Sequence, residues 1–215
     1  GIQNSNYIIN TKYKKYILTI FEDKYVINNL NFFLNLLLFC NKNNFKCPLP
    51  ILDNKSNFIN LIDNKPSCLF SFIEGTSFKN INEKNIKSVG IYLGKLHLLT
   101  SNFNEKINTR FDINFYNNII NNYQLYFLEQ DGDLLSIFND VIIDYKNLGR
   151  KNLPKAIIHG DLFPDNVLFN NSYKVTGFLD FYFSDYNYLI SDLAIVIISW
   201  CFYKNKDKKY LLDFN

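Results

Sequence analysis

Apolar and β-branched residues run through Tyr7–Thr11 and Tyr16–Glu22, with the polar stretch Lys12–Lys15 between them, a pattern that predicts a β-hairpin. From Asn28 to Cys40 the period lengthens. Leu30, Phe33, Leu34, Leu37 and Leu38 fall at helical spacing, so an amphipathic helix is expected there, with Cys47-Pro-Leu-Pro50 as the break after it. Two further short strands are expected around Phe58–Asp63 and Ser67–Ile73, turning through Asn64-Lys65-Pro66. From Glu83 the texture is helical. Ile86, Val89, Ile91, Leu93, Leu96 and Leu99 form one stripe, and further helices are expected over about Phe115–Leu128 and Asp133–Tyr145. Ala156 to Phe183 reads as short hydrophobic strands flanking polar signatures. A last buried helix runs through Ser199, with Ser191 as its cap and Asp192 in its first turn. No internal repeat is present.

Composition narrows the class. The chain has 215 residues, enough for one large domain or two small lobes with a real core, and 47% of them are apolar against 20% charged, which is globular rather than disordered. Asn, Lys, Ile and Phe are abundant and Ala and Gly scarce, a skew expected of an AT-rich genome, so a single Asn is weak evidence of function. The net charge of +3 is small, and the lysines are dispersed rather than gathered on a face, which speaks against a nucleic-acid partner; Lys204–Lys209 is the densest run and reads as a solvated segment. The longest apolar stretch, Leu193–Tyr203, is too short to span a bilayer, and no signal peptide opens the chain. Four cysteines without a CxxC pair suggest reduced, buried thiols, and a cytoplasmic location is expected. There is no methionine, even at residue 1, so the chain is either processed or a fragment.

The sharpest signal is Ile157-Ile158-His159-Gly160-Asp161-Leu162-Phe163-Pro164-Asp165-Asn166-Val167-Leu168-Phe169. An apolar strand delivers His-x-Asp, and Asn follows five residues after the Asp. Protein kinases use that order in their catalytic loop. The Asp accepts a proton from, or orients, the attacking hydroxyl, and the Asn oxygen must reach a magnesium ion beside the same phosphate. Only a tight loop folding back brings both to one place. A second hydrophobic strand, Gly177-Phe178-Leu179, ends in Asp180-Phe181-Tyr182, which suits a second magnesium-binding carboxylate. A lone His-Gly-Asp is usually a polar turn. The whole constellation, in this order, points instead to phosphoryl transfer.

His159-Gly-Asp161 with Asn166 and Asp180, then Asp192-Leu193-Ala194, resembles the aminoglycoside phosphotransferase/choline kinase-like superfamily of small-molecule kinases. Within it, Asp161–Phe169, Asp180-Phe-Tyr-Phe183, Asp192-Leu-Ala-Ile195 and Trp200-Cys201 resemble the homoserine kinases. So do Gly1–Tyr7, Tyr16–Glu22, Phe72-Ile-Glu-Gly75 and Leu96-His97-Leu98, leaving a weak middle at about residues 101–150. The resemblance implies an α+β, protein-kinase-like two-lobe fold. Residues 1–74 would be a small antiparallel β N-lobe with one helix, which binds the nucleotide, and residues 75–215 a mostly helical catalytic C-lobe. It also favours a fragment, since the family has a segment before Gly1 and further helices after the Asp192 helix.

The resemblance further implies ATP and Mg2+ as cofactors and L-homoserine as the small-molecule acceptor, giving O-phospho-L-homoserine for threonine synthesis. Asp161 is the implied base, and Asn166 and Asp180 the implied magnesium ligands. Gln3, Asn4, Ser5 and Asn6 would cover the phosphates, although a plain polar turn remains an alternative. Ser71, Phe72 and Ile73 would be the hinge that hydrogen-bonds adenine. His159 and Asp192 would brace the site. Thr19 stands where many kinases of this fold carry Lys, and it supplies no cation. Other alcohols (choline, a thiosugar, an aminoglycoside) and a non-catalytic nucleotide-binding role stay open. Oligomeric state is not legible.

Overall fold

The hairpin expected at the start is closed by Thr11, whose hydroxyl oxygen accepts the Tyr13 and Lys14 N–H groups (3.3 and 3.0 Å). It joins β1 (Asn4–Asn10) to β2 (Lys15–Phe21) in antiparallel register, Asn10 opposite Lys15 and Asn4 opposite Phe21. The computed structural model describes residues 4–78, 81–107, 109–130, 133–148, 152–204 and 210–212. Gln3 and most of the Lys204–Lys209 run therefore lie outside the described residues.

The predicted single helix is two. Asp23 caps α1 (Lys24–Asn28), accepting from Tyr25 N and Val26 N, and Asn29 breaks the chain before α2 (Leu30–Lys42). Helix α2 buries Phe32, Leu36 and Cys40 as well as the expected Leu30, Phe33, Leu34 and Leu37, so it is covered on most of its circumference rather than along one stripe. After β3 (Pro50–Ile51), strands β4 (Ile59–Ile62) and β5 (Lys65–Ser71) form the second hairpin. Its turn is Asp63-Asn64, not Asn64-Lys65-Pro66. Both turn residues take positive φ (49° and 61°), which a two-residue turn requires, Asp and Asn tolerate and Pro forbids. Pro66 lies inside β5, beyond its last pair with β2 (Ile20 opposite Ser67), so its missing N–H costs no bond on that side. The two hairpins merge into one antiparallel sheet of order β1-β2-β5-β3, with β4 also on β5.

The remainder is mostly helical. Asn82 and Asn85 make a capping box at the start of α3 (Glu83–Thr100), which buries Val89, Leu93 and Leu96 but leaves Ile91 of the expected stripe exposed. Helices α4 (Ile113–Gln130), kinked at Tyr123, and α5 (Leu134–Leu148) follow. Two short antiparallel pairs then build the motif region: β6 (Lys155–Ile157) with β9 (Tyr186–Tyr188), and β7 (Val167–Phe169) with β8 (Val175–Phe178). Helix α6 (Leu189–Trp200) starts before Ser191, with Tyr188 at its cap position and no side-chain cap, so Ser191 is an interior residue and not the expected N-cap. The pair β10 (Phe202–Lys204) and β11 (Tyr210–Leu212) comes last.

This small antiparallel sheet with a helical remainder is the α+β kinase-like architecture the motifs imply, with two N-lobe helices in place of one. One apolar core joins the parts. The Tyr182 ring meets Phe21 of β2 and Phe33 of α2 edge-on (5.2 and 5.7 Å), and Phe178 packs on Phe45 and Tyr92. Trp200 of α6 touches Phe169 and donates to the Leu162 carbonyl at 2.8 Å. Each buried ring contributes roughly 2–3 kcal/mol, so the site's strands are held from above and below.

Candidate active site

Strand β6 delivers Ile158 and then His159, which is fully buried. Its Nε2–H donates to the Leu179 carbonyl (2.8 Å), and its Nδ1 accepts the Asp161 N–H (3.2 Å). One carbonyl and one N–H as neighbours fix the neutral Nε2–H tautomer, and burial pushes the imidazole below its ordinary range. The ring is thus a spacer that sets the distance between the catalytic loop and the strand before Asp180. Gly160 follows at φ +77°, and a Cβ there would collide with the Phe183 carbonyl oxygen.

Asp192 reaches across from α6. Fully buried, it accepts the His159 and Gly160 N–H groups (2.9 and 2.8 Å), and His97 of α3 lies 2.8 Å from its Oδ2. The carboxylate is therefore spent on the loop's backbone and is not open to a substrate.

Asp161, Asn166 and Asp180 converge. The Asn166 amide nitrogen donates to both the Asp161 carbonyl (2.8 Å) and Asp161 Oδ2 (2.9 Å), so the Asn166 amide oxygen is its unspent end. The Leu179 N–H donates to the Asn166 carbonyl (2.8 Å), which ties the loop to Asp180. Asp180 sits in the left-handed region (φ 56°) at the head of the short turn Phe181–Phe183, and its side chain makes no capping hydrogen bond to that turn. The Asp161 carboxyl is pushed up to about 6, first by burial, then by the Asp180 and Asp165 charges. Asp180 keeps an exposed face, yet burial of its carboxyl end raises that group as well. Among the described residues no Lys, Arg or His forms an ion pair with Asp161, Asp165 or Asp180. Nor do three His, Cys, Asp or Glu side chains cluster at metal-binding distance among them. The Asp180 carboxylate and the Asn166 amide oxygen form a hard, partial oxygen set. It fits a magnesium ion that takes its remaining ligands from phosphate and water.

The other predicted residues are distributed differently. Asn4, Ser5 and Asn6 lie inside β1, opposite Phe21, Ile20 and Thr19, rather than in an open loop. Asn4 Oδ1 accepts the Glu22 N–H (3.3 Å), and the buried Thr19 hydroxyl donates to Asn6 Oδ1 (2.7 Å). The Ser71 N–H donates to the Leu49 carbonyl (2.9 Å), while Phe72 and Ile73 have no backbone hydrogen bond among the described residues. Ile73 packs against Gly177 of β8, and Thr76 exchanges two backbone bonds with Phe169 of β7 (3.0 and 3.1 Å). The connection after β5 thus meets the β7–β8 hairpin at the Ile73 side chain and at Thr76. Phe72 also borders an open groove of about 630 Å³, but this is lined by the β1–β2 turn and its lysines, away from Asp161.

Sequence reasoning did not single out His97, Asp165, Arg110 or Asp185. His97 stood in a quoted string without a role. Arg110 is one of two arginines in a chain whose other cations are lysines, and Asp185 follows the Asp180 element by five residues.

The sheet, the helical remainder and the convergent Asp161, Asn166 and Asp180 define a protein-kinase-like phosphotransferase fold. The sequence pattern of the Phosphotransferase enzyme family matches residues 1–214, and the chain belongs to that family. It is 29% identical over 205 residues to a homoserine kinase of Rhizobium meliloti (strain 1021), covering 95% of this chain and 63% of that protein. Thus the chain spans somewhat under two thirds of that relative's length. Many solved structures share its fold, and two illustrate it. One is the amicoumacin kinase hAmiN, in complex with AMP-PNP, Ca2+ and Ami (TM-score 0.71, 16% identity, 93% of this chain and 62% of that one). The other is a GDP complex of aminoglycoside 2'-phosphotransferase-IIIa (TM-score 0.71, 18% identity, 93% and 70%). Among the described residues no helix is long and apolar enough to cross a membrane.

Proposed function

We propose that this chain carries the nucleotide site and catalytic loop of an ATP-dependent kinase that phosphorylates the side-chain hydroxyl of L-homoserine, yielding O-phospho-L-homoserine. The phosphotransferase reading is carried by one observation: Asp161, held by Asn166, lies within reach of the Asp180 charge, and among the described residues no cation is paired to either. The homoserine acceptor is supported by the R. meliloti relative.

In this reading residues 1–74 form the nucleotide-binding lobe and residues 75–215 the catalytic lobe. The backbone groups of Phe72 and Ile73, unpaired among the described residues, receive the adenine edge. Asp180 and the Asn166 amide oxygen hold Mg2+, which when bound offsets phosphate charge and lines up the transferring group. Asp161 turns its free oxygen to the acceptor hydroxyl, orients it and takes its proton. Asn166 fixes the Asp161 carboxylate from the other side. His159 and Asp192 keep the loop in shape, so catalysis is positioning and charge stabilisation.

A second reading rests on Thr19, whose hydroxyl is bound to Asn6 and which offers no cation to phosphates: nucleotide binding without turnover. Both readings are tested by ADP release with homoserine, choline, a thiosugar and an aminoglycoside as acceptors. Homoserine-dependent release is expected. Asp161→Asn is expected to nearly abolish it while nucleotide still binds, and Asp180→Ala to weaken the magnesium dependence of nucleotide binding. Release with another acceptor alone moves the assignment to that acceptor, and magnesium–ATP binding with no acceptor turned over favours the second reading.

A further inference from the structure

Four buried side-chain polar atoms have no hydrogen-bond partner among the described residues: Asn85 Nδ2, Thr176 Oγ1, Arg110 Nη1 and Asp185 Oδ1. The last two carry opposite charges on neighbouring segments. Arg110 is a fork with one prong in use. Its Nη2 lies 2.9 Å from Asp23 Oδ2, while Asp23 Oδ1 is occupied by the start of α1. The Tyr25, Phe111 and Phe183 rings stand 5.4–5.9 Å from the guanidinium and fix its plane.

Asp185, two residues after Phe183, is only 6% exposed. Thr109 and Asn187 lie near its carboxylate, and among the described residues no Lys or Arg pairs with it. Leaving a carboxylate oxygen buried and unpaired is expensive, which makes it a natural seat for a ligand cation. The guanidinium lies 5.9 Å from the Phe183 ring, and Asp185 follows two residues on, which brings the two segments together.

That neighbourhood adjoins the catalytic loop. The Phe183 carbonyl lies against Gly160, the Ser184 hydroxyl donates to the His159 carbonyl (3.3 Å), and the Ile158 N–H donates to the Asp185 carbonyl (3.0 Å). Residues 183–185 thus run beside the strand that ends in Asp161.

We propose that Arg110 and Asp185 recognise the two charged ends of a zwitterionic amino-acid acceptor, Arg110 Nη1 binding the α-carboxylate and Asp185 Oδ1 the α-ammonium. This rests on the acceptor reading above and adds the residues that select it. A hydroxyl two methylenes from the α-carbon lies roughly 4 Å from it, so one acceptor presents its hydroxyl and its charged end to different residues. Choline satisfies Asp185 but sets no anion on Arg110, and a polycationic aminoglycoside is repelled there, so the pair rejects the competing acceptors.

The test uses L-homoserine, 4-hydroxybutyrate (no ammonium) and 3-aminopropan-1-ol (no carboxylate), titrated by calorimetry and assayed for ADP release. With the wild-type chain, either deletion is expected to weaken binding about 10- to 100-fold, the cost of one lost charge-assisted hydrogen bond. Asp185→Asn is expected to raise the KM for L-homoserine much more than that for 4-hydroxybutyrate. Arg110→Gln should spare 3-aminopropan-1-ol in the same way. Equal affinity for all three ligands means that ordered water alone fills the two open valences, and overturns the proposal; this needs no variant to fold. Uniform losses across the acceptors in both variants overturn it too, while leaving homoserine as the acceptor. If homoserine binds with the predicted charge dependence but is not phosphorylated, the acceptor reading fails and the amino-acid pocket stands.

Discussion

Replacing Asp192 by Ala removes one buried carboxylate that accepts two backbone N–H groups (His159 and Gly160) and meets His97 Nε2. The site is fully closed to solvent, so water does not take over the bonds to the loop. Each orphaned buried N–H costs about 1–3 kcal/mol, and the truncation as a whole about 3–5 kcal/mol. For a chain of this size that is a fall of about 6–20 °C in the melting temperature. Thermal unfolding followed by circular dichroism measures it directly. Asp192→Asn keeps the shape and one acceptor oxygen while turning an N–H pair toward a donor, so its loss should be intermediate. Gly160 takes a conformation only this brace and the Phe183 contact impose, so turnover should fall further than unfolding alone accounts for at temperatures where the variant remains folded. An Asp192→Ala protein melting within about 2 °C of wild type, less than about 1 kcal/mol for this size, refutes the account of Asp192 as the loop's brace.

The Asp161 carboxyl, titrated by carboxyl-carbon NMR in protein free of metal and nucleotide, is expected to show a midpoint of about 6, and a midpoint near the ordinary 3.8 refutes the burial and charge argument. Because its folded-state value is raised, the folded protein holds the proton longer than the unfolded chain, so this group's contribution to stability falls as pH rises between those two values. Asp165→Asn removes one of the charges that raise it and should move the midpoint down. Burial pushes the Cys68 thiol up to about 12 and that of Cys47 up as well, so iodoacetamide at mildly alkaline pH should leave both intact in the native protein and alkylate both in denaturant; native labelling at the unfolded rate counts against their burial.

Much of the fold could be read from hydrophobic period. The alternating runs at Tyr7–Thr11 and Tyr16–Glu22 became β1 and β2, and the helical stripes became α2 to α5. Errors came where local geometry outweighed pattern. Pro66 looked like a turn signal, but the positive-φ demand fell on Asp63 and Asn64. Ile91 looked like core, yet lies on the open side of α3. In the site, Asp161, Asn166 and Asp180 were legible because loop geometry fixes their spacing in sequence. Arg110 and Asp185 were not, because 75 positions separate them and only folding brings β9 beside the segment before α4. His97 was hidden for the same reason: its partner Asp192 lies 95 positions away.

The short bridge between Thr76 and Phe169 has a mechanical consequence. Two backbone hydrogen bonds fasten the chain to the β7–β8 hairpin only five residues after β5 ends at Ser71. Any swing of the sheet relative to the catalytic hairpin must be absorbed by torsions in Phe72, Ile73, Glu74 and Gly75. Gly75 has no room for a side chain against Thr176 and Leu168, so its surroundings restrict rotation there as well. The connection is a stiff pivot with a short lever arm, not a loose tether, and it favours a fixed gap between the sheet and the loop that carries Asp161.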